Sequence, residues 1–359
     1  MGGKYINIAG QRLYTQSLSS PGFRSAFEAV NFLGAVQAQD FNAAKWALGL
    51  RVKGATDVSI EKSFNSGEIL RAHVMRPTWH FVPPRDLRWM QKLTSPRVKA
   101  LLLPYDRKLG ITGGLLSRCR RAVTSALKGK NFMPRTGLAD RLAANSIKAR
   151  GQKLAHIIMH FELEGLICSG PKSGSRLTYA LLDERVPSSL DLNRDESLAK
   201  LALKYFTSHG PAQVKDFAWW SGLSQKDALS GLESVKKKLA VETEGGAVYY
   251  SRPNMAGAGK DSAYLLSIYD EYVIAYRDRS ALGGERYVEK LLAMGNALTA
   301  VFILSGKIAG TWKRTIKEGI VEVLAAPLRK LSVTEKKELA MAAKRYGKFL
   351  GLPAVLRLK

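Results

Sequence analysis

Apolar residues at Phe27, Val30, Leu33 (or Phe32) and Val36 recur at helical spacing, and Ala43, Trp46, Ala47 and Leu50 resume it after a polar break. Two helices are predicted, meeting at a corner, with Asp40 at the N-cap of the second. The break carries Gln37 and Gln39, which the spacing puts on the last turn of the first helix. A side-chain amide holds both donors and an acceptor, so such a pair either orients a water, reads a base edge, or caps carbonyls at the helix end.

Further along, the alternation of periods repeats. Residues 197–251 read as a helix, a second helix AQVKDFAWWSG, a third helix SQKDALSGLESVKKKL, and two β-prone runs joined through Gly245-Gly246. Helix, short glycine-containing turn, helix and hairpin form the winged-helix plan. A middle copy has LADRLAANS and GQKLAHIIMHFELEGLI as helices, then Leu166–Ser169 and Arg176–Leu182 around PKSGS. The first copy is the opening stretch, with SIEKSFNSGEILRAH as third helix and HVMRPTWHFV as a strand with little visible partner. After 252 the pattern turns β-rich: SAYLLSIYDEYVIAYRDRSAL is expected as strand, turn and strand. AVFILSGKIAGTWKRTI and GIVEVLAAP give more strands before a final helix TEKKELAMAAKRYGKFLG. The fold class expected is therefore α+β and helix-rich. Three winged-helix units (1–83, 84–190, 191–252) precede a β-rich, partial-barrel domain (253–359).

Charge changes what this scaffold is expected to face. Fifty-six Lys/Arg against 30 Asp/Glu give +26, beyond what solubility requires, which points to a polyanion. Residues 84–153 alone hold 17 Lys/Arg and three acids, Asp86, Asp106 and Asp140. Arg118, Arg120, Arg121, Lys128 and Lys130 cluster there around an apolar helical pattern and are expected to meet nucleic-acid phosphates. Lys172 and Ser173 at the basic tip of the middle hairpin are candidates to approach DNA, and Trp312, Lys313 and Arg314 to stack on or neutralise a backbone. With 46% hydrophobic residues the chain can bury real cores. No apolar run reaches a bilayer span and residues 1–20 lack a signal-like core, so a cytoplasmic, nucleoid-associated monomer with no membrane partner is expected.

Other chemistries find little support. Cys119 and Cys168 form no C-x-x-C pair. His156 and His160 have zinc-compatible spacing but no evident third ligand, so no metal is expected. GITGG (110–114) and GAGKDS (257–262) lack the phosphate-loop spacing, so neither a nucleotide nor another cofactor is expected. No G-x-S-x-G elbow marks a serine nucleophile.

QAQD followed by FNAAKWALGLR, then RAHVMRPTWHFV, then LLSIYDEYVIAYRDR, resembles the AlkZ and YcaQ superfamily of winged-helix DNA glycosylases over nearly the whole chain. Gln37-Ala38-Gln39 matches the Gln-x-Gln signature of the AlkZ-like branch. The resemblance implies three tandem winged-helix motifs in a C-shaped arrangement, a β-rich C-terminal domain, and excision of N7-alkylated guanines, including interstrand crosslinks in some members. Gln37 and Gln39 are then expected to place the water. Asp40 is the rival base, and Arg76, Thr78 and His80, which alternate along one strand, are candidates to line the same cleft. A non-enzymatic DNA-binding protein or transcription regulator is the alternative.

Overall fold

The computed structural model describes residues 7–186, 188–254, 262–283 and 299–359. Most of GAGKDS (257–262) lies outside them. In chain order, α1 (Ile8–Thr15) and α2 (Ala26–Leu33) lead to a two-residue strand β1 (Val36–Gln37), then α3 (Phe41–Gly49) and α4 (Asp57–Ser66). A hairpin of β2 (Leu70–Val74) and β3 (Arg76–Val82) precedes the long α5 (Pro84–Leu109). Next come α6 (Gly113–Leu127), β4 (Met133–Pro134), α7 (Arg135–Ala144), α8 (Gly151–Leu163), β5 (Ile167–Ser169), β6 (Thr178–Leu181) and the short α9 (Leu182–Arg185). Then follow α10 (Arg194–His209), α11 (Val214–Ser221), α12 (Gln225–Val235), β7 (Ala240–Glu244) and β8 (Ala247–Ser251). The last part holds β9 (Ala263–Leu265), α13 (Glu271–Ile274), β10 (Val301–Leu304), β11 (Lys307–Lys317), β12 (Ile320–Pro327), α14 (Val333–Leu350) and β13 (Ala354–Leu358). No described helix is long and apolar enough to cross a membrane.

The chain divides into two compact units, one of residues 1–61, 199–220 and 224–359, the other of 62–198 and 221–223. In the first unit, β13-β12-β11-β10-β9 form a five-stranded sheet that curls as a half-barrel. Only the β12–β13 pair is parallel, and α14 supplies the crossover it requires. The third helix-turn-helix and its hairpin follow the expected plan: Ser224 caps α12, and β7–β8 turn through Gly245 and Gly246, both at positive φ.

In the second unit, α6, α7 and α8 pack around Cys119, Val123, Leu138, Leu142, Ile157 and Phe161, and the β5–β6 wing closes against them. Burial pushes the Cys168 thiol up to about 12, so it acts as a small apolar core residue. Asp106 accepts from His160 Nε2 at 2.8 Å and lies 3.4 Å from His156 Nδ1, so this histidine pair is spent on a carboxylate.

Three expectations are corrected. The glutamines do not lie on a helix: α2 stops at Leu33 because Gly34 takes φ +84, a conformation that side chains rarely adopt, and the chain runs extended into β1. The third helix of the first copy ends at Ser66, and Leu70–Val74 becomes the missing strand partner, pairing Leu70 with Val82 and Ala72 with His80. The ladder explains this, since all five β2 residues are buried and their backbone groups need partners there. Finally, EYVI is a helical turn, not a strand, because Asp270 caps it by accepting from the Tyr272 amide at 2.9 Å.

Candidate active site and nucleic-acid interface

The segment at 36–40, strand β1 followed by bends at Gln39 and Asp40, is held from beneath by buried charge. Glu271, fully buried, accepts from the Gln37 backbone N–H at 2.7 Å through Oε1 and from Trp220 Nε1 at 2.9 Å through Oε2. His209 Nε2 lies 3.5 Å from the same Oε2. Burial draws the His209 imidazole below its usual value, although Glu271 pulls the other way. Next to Glu271, Asp270 takes a bidentate contact from Arg51 at 2.7 and 2.9 Å. Arg51 also donates to Gln16 Oε1 at 2.9 Å, Gln16 Nε2 to the Tyr276 hydroxyl at 2.9 Å, and that hydroxyl to the His209 carbonyl at 2.8 Å. These charges sit where water cannot solvate them, so each needs its partner, and the network resists displacement as a unit.

On this base Gln37 is buried, 8% exposed, Ala38 is fully buried, and Gln39 and Asp40 reach the surface. Asp40 caps α3, its Oδ1 accepting from the Ala43 amide at 2.8 Å. It also borders a pocket of about 140 Å³ whose lining includes Trp46, Ser267, Trp312, Arg314 and Tyr346. The aromatic floor is rigid. Trp46 and Trp312 both meet Tyr346 edge-on, at 4.9 and 5.1 Å, and their indole N–H groups donate to the Leu265 and Leu266 carbonyls at 2.7 and 2.8 Å. Arg314 donates to the Tyr346 hydroxyl. Burial raises that phenol, with Arg314 opposing. Of the C-terminal candidates, Trp312 is thus a buried core ring, while Lys313 and Arg314 are exposed beside Asp40's pocket.

The second unit carries the remaining candidates. Arg76 and Thr78 are half-buried on β3, and His80, fully buried, meets the Thr78 carbonyl at 3.0 Å through Nδ1. Arg118 and Arg121 share one face of α6 and border a cavity of about 500 Å³ together with Arg141. Arg120 lies elsewhere, paired with Glu164 and over the Phe161 ring at 5.5 Å. Lys128 and Lys130 are exposed, and the Gly129 and Lys130 amides donate to Glu184, which fixes their loop. At the wing, Lys172 N–H donates to Asn65 Oδ1 at 2.8 Å, and Ser173 and Arg176 close a tight turn at 2.9 and 3.1 Å. Ser173, Gly174, Ser175 and Arg176 are exposed at its tip.

Glu271, His209 and Arg51 were not anticipated from sequence. The available signal was the pair Asp270-Glu271 inside an apolar run, because acids so placed are buried and partnered when the run is core. Arg141 and Phe132 were also missed, since neither lies in the densest basic cluster.

Comparison with known proteins agrees with this architecture. A solved structure titled Streptomyces sahachiroi DNA glycosylase AlkZ superposes with a TM-score of 0.83 over 98% of each chain at 19% identity, which establishes the fold. An interstrand DNA cross-link repair glycosylase of Streptomyces sahachiroi is 22% identical, covering 94% of both chains. The profile described as DNA glycosylase AlkZ-like matches residues 30–349, so the chain belongs to the AlkZ-like DNA glycosylase family.

Proposed function

We propose that this protein hydrolyses the N-glycosidic bond of N7-alkylated purines in duplex DNA, interstrand crosslinks included, with a water placed by Gln37 and Gln39. The observation that carries the reading is the buried Glu271 carboxylate, which accepts from the Gln37 backbone N–H at 2.7 Å and so preorganises the segment bearing both side chains. Gln37 and Gln39 stand two residues apart on that segment, and their long side-chain amides would together serve one water. The family relationship supports the same chemistry, and the relative's name supplies the crosslink as a substrate class.

The reaction suits amides for a physical reason. A guanine alkylated at N7 is already cationic and leaves without a proton from the enzyme. What remains is to hold a water beneath the sugar and to offset the positive charge that develops there. Side-chain carbonyl dipoles fixed in place achieve this at no reorganisation cost, worth roughly 2 to 4 kcal/mol. Asp40 is a stronger base, but one of its oxygens is committed to capping α3. Lys313 and Arg314, the basic face of α6 with Lys128 and Lys130, and the Lys172–Arg176 wing tip would hold the phosphates, which position a duplex without reading its sequence. Arg76 and Thr78, half-buried on β3, would add DNA contacts within the second unit, where His80 is fully buried.

Single-turnover excision from N7-methylguanine duplex and from a crosslinked duplex tests the reading. Gln37→Ala and Gln39→Ala should each slow excision by about ten to a thousandfold with DNA affinity nearly unchanged, since the amides act on charge present only in the transition state. An Asp40→Asn loss larger than either, with folding intact, would move the base role to Asp40. A wild type that binds DNA but releases no base from any alkylated duplex returns the protein to the binding-protein class.

A further inference from the structure

The cavity of about 500 Å³ in the second unit has a composition unlike an ordinary helix face. Arg118 and Arg121, three residues apart on α6, are neighbours on one face, and Arg141 from the last turn of α7 borders the same space. No Asp or Glu is among the lining residues, and neither Arg121 nor Arg141 makes an ion pair among the described residues. Arg118 has a single long bond, 3.4 Å, to the Ser146 carbonyl. Three like charges around one concavity repel each other until an anion enters, and guanidinium forks match phosphate oxygens in pairs.

A second feature makes the occupant more than a phosphate. Phe132, one of the lining residues, is 42% exposed just after the polar and basic run 128–131. Its placement is built: it packs on Gly170, where an added Cβ would stand 2.9 Å from the ring, and the Arg185 guanidinium lies 5.8 Å from its centroid. The loop that carries it is tied down by Glu184 through the Gly129 and Lys130 amides. Asn131 and Asn145 also line it; each Nδ2 donates to a backbone carbonyl, of Lys128 at 2.8 Å and of Arg141 at 2.9 Å, which leaves the side-chain oxygen and one N–H of each for a base edge. An exposed ring for a base, guanidiniums for its phosphate and amides for its edge are what an unstacked nucleotide needs. The volume is in the range of small-molecule sites.

We propose that the cavity formed by Arg118, Arg121, Arg141 and Phe132 binds an unpaired nucleotide, base on Phe132 and phosphate on the arginines. The nucleotide comes either from a single strand or from free solution; both present the same chemistry. The inference is independent of the excision chemistry, because its readout is binding of undamaged nucleic acid.

Fluorescence anisotropy of the full chain with a labelled, undamaged single-stranded hexamer tests it. Phe132→Ala should weaken binding by about five- to a hundredfold, the range for loss of one base stack. The triple variant Arg118→Gln, Arg121→Gln, Arg141→Gln should weaken it at least tenfold and flatten the log–log salt dependence by about 1 to 2, as expected for two or three phosphate charges. Lys236→Gln, Lys237→Gln, Lys238→Gln removes equal charge at an exposed site in the other unit and should change affinity far less. Displacement of the hexamer by adenosine 5′-monophosphate marks a site that also takes the free nucleotide; hexamer binding without such displacement marks one that takes a unit of a strand. The proposal is overturned if Phe132→Ala has no effect, if the arginine variant behaves like the lysine control, or if inorganic phosphate competes as well as the single strand. Thermal melts of each variant separate these outcomes from misfolding.

Discussion

Glu271→Gln is a stringent test of how the glutamine segment is held. The carboxylate serves two donors, the Gln37 N–H at 2.7 Å and Trp220 Nε1–H at 2.9 Å. A glutamine presents one oxygen and one NH2, so whichever way the amide turns, a donor faces a donor. The loss is one charge-assisted hydrogen bond plus one buried N–H deprived of this acceptor, about 2 to 4 kcal/mol, partly offset because a buried charge is no longer desolvated. Urea unfolding should therefore report a loss of about that size. If the segment shifts by up to an ångström, excision should slow by roughly ten to a hundredfold, because a misplacement of that order removes the near-attack geometry. Ground-state affinity for alkylated duplex should change by less than about threefold. Trp220→Phe deletes only the second donor and leaves the Gln37 anchor, so it should cost stability while excision stays within about threefold of wild type. Equal excision rates in Glu271→Gln and wild type, alongside a clear stability loss, would refute the argument that this carboxylate positions the catalytic segment.

Duplex affinity should fall steeply with salt, with a log–log slope of roughly −4 to −7 for about five to eight phosphate contacts; a slope near −1 would exclude a basic DNA track. Deleting Ser173–Ser175 while rejoining Lys172 to Arg176 should lower duplex turnover without lowering Tm by more than a few degrees, since those tip residues are exposed; unchanged turnover and affinity would make the tip a plain surface turn. His209 gives stability a pH dependence. Its folded-state value is lowered from 6.5 by burial, against the pull of Glu271, so below about pH 6.5 the unfolded chain binds the proton more readily and stability falls until the folded value is passed. Tm measured from pH 7.5 to 5.0 should drop less steeply in His209→Gln than in wild type; identical slopes would remove His209 from the account.

The helix-turn-helix and hairpin of residues 194–251 were legible because every signal agreed there. Ser224 at an N-cap, Gly245-Gly246 at a turn that needs positive φ twice, and apolar spacing on all three helices are each determined locally. The exit from α2, the strand β2 and the turn at EYVI were not, each for its own reason. Apolar Val36 continues the helical period of α2, so periodicity alone carries the helix two residues past Gly34, where the backbone in fact turns out of it. Leu70–Val74 does alternate, apolar Leu70, Ala72 and Val74 against polar Arg71 and His73, but the helical spacing of Ile60 and Phe64 just before it carries the expected helix through that signal; the structure buries all five residues, the two polar ones included. EYVIAY is β-prone by composition, but Asp270 answers to Arg51, 219 residues away in sequence, and also caps the turn that follows. Local propensity cannot register a partner at that distance. The same separation explains the site. Gln37, Gln39 and Asp40 stood out because polar side chains in a helical stripe are conspicuous. Glu271 meets Gln37 across 234 residues and Trp220 across 51, so its role exists only once the fold has brought them together. What sequence identified was the group proposed to touch the substrate; what only the structure supplies is the buried charge that would keep that group still, and the Glu271 and Trp220 variants are chosen to separate those two contributions.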